Sequence, residues 1–181
     1  LGKPRKYLNE RELSAYWICQ EVLPDGRRLV FHEGSNIIVD SIGVLIAGLI
    51  LGHPPFLTAT PNLFMAWGSG DSAWDILLDN GKSNEAVTNT QLVNETFREP
   101  LQTVEFLDNL DVCTNTPTDR LEFMGRLSAG ENPTQVREFG IFGGDASLTA
   151  NSGQMMNHII IPLRDRSISA PLDEYIARMT F

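Results

Sequence analysis

Val136-Arg137-Glu138-Phe139-Gly140-Ile141-Phe142 sets a cation and an anion side by side inside a run that otherwise reads as an apolar strand. Charges placed there need partners or water. The guanidinium and the carboxylate can be satisfied by each other, by neighbouring strands or by another subunit, and each option is structural rather than chemical. The alternative is the solvated face of a half-buried strand.

Working outward, the same grammar recurs on both sides. Thr103 to Leu107 and Arg120 to Leu127 alternate apolar and polar residues, as strands with one face on a core do. The triple Ile159-Ile160-Ile161 within Met155 to Pro162 reads as a fully buried strand, and Tyr175, Ala177, Met179 and Phe181 alternate with Glu174, Ile176, Arg178 and Thr180. Upstream, Ser14 to Val22, the turn Leu23-Pro24-Asp25-Gly26 and Leu29-Val30-Phe31 make a hairpin, which Asn36 to Val39 extends. Asn62 to Trp67 is a short buried strand by composition.

One helix is expected, over Ile42 to Leu51, capped by Asp40 or Ser41 and stopped at His53-Pro54-Pro55. Asp79 to Asn89 reads as an exposed loop, and Gln91 to Thr96 as a brief helix. Roughly seven to nine strands and one helix predict a mostly β fold: an antiparallel β-sandwich with one main packed helix. Residues 1–33 are expected to form an N-terminal β-hairpin arm, and residues 34–181 the sandwich domain.

The chain has 181 residues, of which 42% are hydrophobic, enough for one globular core. Its formal net charge of -9 works against a phosphate backbone, so direct nucleic-acid binding is not expected. The basic residues Lys3, Arg5 and Lys6 read as a solvated tail. The apolar run from Ile42 to Leu51 is about half of the roughly 20 residues a bilayer crossing needs, and no membrane span or secretory leader is read. Cys19 and Cys113 read as small core residues, with a single bridge left open.

No spacing announces catalysis or a cofactor. His32, His53 and His158 stand apart without a metal-ligating pattern, and Ser69 in Gly68-Ser69-Gly70 lacks a nucleophile elbow. Asp71, Asp75 and Asp79 would line one face of a helix and could hold calcium there, but they read better as a solvated acidic loop. Gly68-Ser69-Gly70 and Gly143-Gly144-Asp145 read as turns. Trp17, Trp67 and Trp74 read as core or interface anchors, or as a sugar-binding surface.

Four stretches occur in a familiar order: Gly34 to Val39 before the Ile42 to Leu51 run, Trp67-Gly68-Ser69-Gly70, Thr90 to Arg98, and Val136 to Phe142. In this order the chain resembles tailed-bacteriophage virion proteins of the tail, baseplate or fibre-attachment kind, over roughly residues 34–181. The resemblance implies a non-enzymatic structural subunit without cofactor, located in the virion after assembly in the host cytoplasm. Its implied partners are other virion proteins and further copies of itself, as a homo-oligomer. It also implies that Trp67, Glu95, Arg98, Arg137 and Glu138 hold the sandwich or its subunit contacts. A glycan- or receptor-binding module and a capsid or neck decoration protein are the alternatives.

Overall fold

The computed structural model describes residues 14–43, 46, 63–131, 133–167 and 171–181. They form ten strands: β1 (Ser14–Val22), β2 (Arg28–Ile38), β3 (Phe64–Gly68), β4 (Glu95–Pro100), β5 (Thr103–Leu107), β6 (Cys113–Thr114), β7 (Arg120–Leu127), β8 (Gln135–Gly143), β9 (Gln154–Asp165) and β10 (Leu172–Thr180). All pairings are antiparallel, in the order β4-β3-β8-β9-β2-β1-β10-β7-β5-β6.

That order folds into two sheets, because two stretches of chain pass from one sheet to the other. β2 pairs with β1 from Arg28 to Asn36 and then with β9 at Ile37 and Ile38. On the far side, consecutive residues between β4 and β5 bond to different sheets: Leu101 N–H donates to Leu63 O (3.0 Å), and Gln102 N–H donates to Met124 O (2.8 Å). The result is a flattened double layer stitched at both sides.

The inward faces meet through large rings. Tyr175 of β10 lies 5.1 Å from Phe139 of β8 and 5.7 Å from Trp67 of β3, centroid to centroid, and Trp17 of β1 lies 6.2 Å from Phe139. Edge-on ring contacts of this kind add to the area they bury. Val136, Phe139, Ile141, Ile159 and Ile161 complete this core with Cys19, Phe123, Leu127, Ala177 and Met179. A second cluster covers the outer face of the β3-β8-β9 sheet, where Phe64, Ala66, Phe142 and Met155 meet Val39, Leu92 and Ala146.

The β1-β2 hairpin, expected as an arm, shares this core. β1 is hydrogen-bonded on one side to β2 and on the other to β10, and it sends Trp17 and Cys19 inward. Residues 1–13 lie outside the described residues.

The free edge of β9 is covered. Before Ile37 the β2 strand pairs with β1 and not with β9, and the buried Ile160 N–H donates to Glu85 Oε1 (2.6 Å). Two residues on, the same edge carries Pro162, which has no N–H to offer. Of the two ends of the order, β6 is only two residues long and β4 carries Pro100. Short, capped and proline-bearing edges discourage strand addition by another chain.

Several expectations need correction. Gln91 to Asn94 is a turn, and Glu95 already begins β4, where Phe97 faces Trp67 across the ladder. Cys113 is exposed rather than in the core, and both cysteines are free thiols. Of the helix expected over Ile42 to Leu51, residues 41–43 and 46 are helical and the remainder lies outside the described residues. Elsewhere among the described residues the helical pieces are 3-10 turns, at Ser72–Ile76 and Lys82–Asn84. No helix among the described residues is long and apolar enough to cross a membrane.

Candidate functional site

The buried charges of β8 and β9 point outward from the core and fasten loops to the outer face of their sheet. Val136 and Phe139 both face the core although three residues apart, so strict alternation breaks at Arg137. The pairing with β9 shifts register at the same place. Such an irregularity re-aims side chains. Arg137 and Glu138 thereby serve two different loops.

Arg137 reaches the loop after β3. Its Nε and Nη2 donate to Asp75 Oδ1 (2.8 Å) and Oδ2 (2.7 Å), and its Nη1 donates to Ser69 O (3.0 Å). The two-pronged hydrogen bond from Arg137 holds the Asp75 carboxyl below the usual range. The loop is further built around Trp74, which is buried against Gly81; Gly81 has φ +84°, and a Cβ there would overlap the Trp74 ring. Asp71 accepts from Ala73 N–H (2.8 Å), and Asp79 accepts from Gly81 N–H (3.1 Å) and Ser83 N–H (2.9 Å). Each of the three aspartates therefore has its own task, and they do not converge on one point. The chain that leaves Trp74 exposes Ile76, Leu77 and Leu78 in succession.

Glu138 reaches the loop before β4. Its carboxylate accepts from Val93 N–H (3.0 Å), Asn94 N–H (2.8 Å) and His158 Nε2 (2.8 Å), and both Glu138 and His158 are fully buried. Asn89 Nδ2 lies 2.7 Å from His158 Nδ1. With that amide donating, the ring proton sits on Nε2 and is given to Glu138. Space for the carboxylate comes from Gly68, where a Cβ would stand 2.5 Å from Glu138 Oε1 and 2.8 Å from Asn94 O. The dipeptide Trp67-Gly68 thus places one residue in the core and leaves the next bare for this bond.

Glu95 and Arg98 form a third brace. Arg98 donates to both Glu95 oxygens (2.8 Å each) and to Ser152 O (2.7 Å), and its guanidinium lies 4.2 Å from the Phe142 ring centroid. Asn151 N–H donates to Glu95 Oε2 (3.0 Å), so the pair pins the loop between β8 and β9. The five residues singled out in the sequence are thus placed as follows: Trp67 lies in the core, and Glu95, Arg98, Arg137 and Glu138 lie in braces between strands and loops.

Sequence reasoning missed other members of the same kind. Arg166 is almost wholly buried and donates to five carbonyls, those of Leu127, Ser128, Glu131, Pro133 and Pro171. Its Nε stands 3.1 Å from Asp173 Oδ2 as an ion pair, outside hydrogen-bond angles. Glu174, also buried, accepts from Gln20 (2.7 Å), Arg28 (2.9 Å) and Arg126 (2.7 Å) on the outer face of the other sheet. A charged residue in a strand, or just past the end of one as for Arg166, is the only signal these positions give.

Glu105, Cys113 and Glu122 are the one grouping among the described residues whose metal-type ligand atoms come within 4.8 Å of one another. Their polar atoms serve each other and a neighbour. The hydrogen bond to Glu105 pushes the Cys113 thiol up to about 11, and Arg178 Nε donates to Glu122 Oε2 (2.8 Å). Trp67 and Trp74 are buried, which removes them from any sugar-stacking surface.

No family model matches the chain, and neither a curated protein nor a solved structure does.

Proposed function

We propose that this chain is a non-enzymatic structural subunit of a bacteriophage particle, in the tail, the baseplate or the fibre attachment. The collinear motif order motivates the assignment. The observation that carries it is the use of charge: buried arginines and carboxylates are spent on fastening loops to a rigid double layer. A scaffold that holds loops in one geometry suits repeated contact between subunits, which must meet the same way each time.

The partners in this reading are other virion proteins and further copies of the chain. With β6 short, the β9 edge capped and β4 ending in a proline, contact in this reading runs through loops and faces rather than through added strands. Epitope-tagged chain produced during an infection is expected to co-sediment with complete particles through a density gradient and to resist a high-salt wash. Recovery of all the tagged chain in the unassembled fraction, with particles complete and infectious, would overturn the proposal.

A further inference from the structure

The seam between β2 and β9 stops one step short of where its register leads. Val39, the residue after β2, donates its N–H to Met156 O (3.1 Å), and the pairing runs on through Ile38 opposite Asn157 to Ile37 opposite His158. Hydrogen-bonded pairs in an antiparallel ladder recur at every second residue. The same register therefore makes Ser35 and Ile160 the next bonded pair, with Glu33 and Pro162 after it. Farther along, the Arg164 guanidinium lies 4.2 Å from the Phe31 ring centroid, so the two strands stay close past the gap.

In place of the Ser35–Ile160 pair stands a side-chain bridge. Ile160 N–H donates to Glu85 Oε1 (2.6 Å), the same oxygen accepts from Lys82 Nζ (2.8 Å), and Lys82 Nζ donates to Ser35 O (2.8 Å). Two side-chain atoms thus fill the interval between a main-chain donor and the main-chain acceptor that the register sets against it. Glu85 is buried, and the Lys82 ammonium lies 5.6 Å from the Trp17 ring centroid, while Trp17 Nε1 also donates to Ser35 O (3.1 Å). The turn that carries Lys82 is anchored by Asp79, which accepts from Gly81 N–H and Ser83 N–H. A cleft of about 400 Å³ opens beside the bridge, with Trp17, His32, Asn80 and Pro162 in its lining.

We propose that Lys82 and Glu85 act together as a spacer that holds the β2-β9 seam open by one hydrogen-bonded pair, and that the seam closes at Ser35 and Ile160 when both side chains are withdrawn. Closure exchanges the bridge for two main-chain bonds, Ile160 N–H to Ser35 O and Ser35 N–H to Ile160 O. It ends there, because Pro162 has no N–H to give to Glu33. The spacer is thereby a strap at the mouth of the cleft, and its release draws β2 and β9 together there. Withdrawing one side chain is not enough. Without Glu85, Lys82 still holds Ser35 O beside the Trp17 ring, and without Lys82, Glu85 still holds Ile160 N–H. The closure is a property of the single chain and does not depend on its place in a particle.

Amide hydrogen exchange and amide–amide NOEs, measured by NMR on the full chain, test the spacer, with circular dichroism melts to check that each variant folds. Glu85→Ala is expected to exchange at Ile160 about tenfold faster than the parent or more, and Lys82→Ala to stay close to the parent. The double variant K82A/E85A is expected to return to within about threefold of the parent, the reverse of what two independent losses would give. It is also expected to show an NOE between the Ser35 and Ile160 amide protons that the parent lacks.

The spacer is overturned if Glu85→Ala exchanges as the parent does, if the double variant exchanges at Ile160 as fast as Glu85→Ala or lacks the NOE, or if the parent already shows it. Should K82A/E85A lack a cooperative melt, K82S/E85S is measured in its place, since its side chains are too short to span the interval. Loss of the fold in both overturns the closure as well, because the seam then needs the bridge to hold at all.

Discussion

Arg137 and Glu138 are neighbours in sequence and differ in what surrounds them. Glu138 is sealed from water, while the side chain of Asp75, the partner of Arg137, keeps 33% of its exposure. The Arg137–Asp75 pair is therefore partly screened, and its loss is worth about 1 kcal/mol rather than the several that a sealed pair can cost to break. Because Arg137 holds the Asp75 pKa below its ordinary value, the carboxylate stabilises the fold above the unfolded pKa of about 3.9, and that contribution is lost as pH falls through the lower, folded value. Urea melts of the parent and of Asp75→Asn are thus expected to differ by about 1 kcal/mol near neutrality and to converge only as the pH falls through the lowered folded value. A gap that persists into acid would mean that Asp75 acts through something other than its charge. Arg137→Ala is expected to cost more than Asp75→Asn, because it also removes the bond to Ser69 O, and adding Asp75→Asn to it is expected to cost little more, since their shared bond is already gone.

The edge of β9 depends on a residue far away in sequence. Glu85 is separated from Ile160 by 75 residues, and it supplies an acceptor that β2, whose residues before Ile37 pair with β1, does not. Burial pushes the Glu85 carboxyl up, against the hydrogen bonds from Lys82 and Ile160 that favour its charged form. Replacing Glu85 by Ala leaves a buried N–H without an acceptor, a loss of about 1–3 kcal/mol. Hydrogen exchange followed by NMR is expected to speed up at the Ile160 amide in Glu85→Ala, while Glu85→Gln, which keeps an acceptor oxygen, stays close to the parent. Unchanged exchange in the alanine variant would show that the edge is held by packing instead. This bond also marks the limit of what the sequence makes legible. β5, β7 and β10 are readable because their alternation is a local property, and the triple isoleucine of β9 declares its burial by composition. β4 is not readable in the same way: Glu95–Pro100 carries three charged residues and a proline, and it becomes a strand because Phe97 meets Trp67 across the ladder. The charged pair of β8 could be recognised as needing partners, but Asp75, Val93, Asn94 and His158 are chosen by tertiary contacts that no local pattern encodes.

At the scale of the whole molecule, what matters is that the N-terminal hairpin sits in the middle of the strand order rather than at an end. A true appendage can be removed without harm to the body. Removing residues 1–31 would delete β1, leave β10 without one of its two neighbours, and take Trp17 and Cys19 out of a core in which Trp17 packs on Phe139. Gln20, which bonds the buried Glu174, would go with them, as would Arg28, and Glu174 would be left with Arg126 alone. Losing the tryptophan by itself costs about 3–5 kcal/mol, comparable with the whole stability of many domains of this size. The truncated chain is expected to be insoluble or to lack a cooperative thermal transition, and not to be a folded body deprived of a docking arm. A soluble product with a melt like that of the parent would mean that β10 and β2 close over the gap, and that the hairpin is dispensable to the double layer after all.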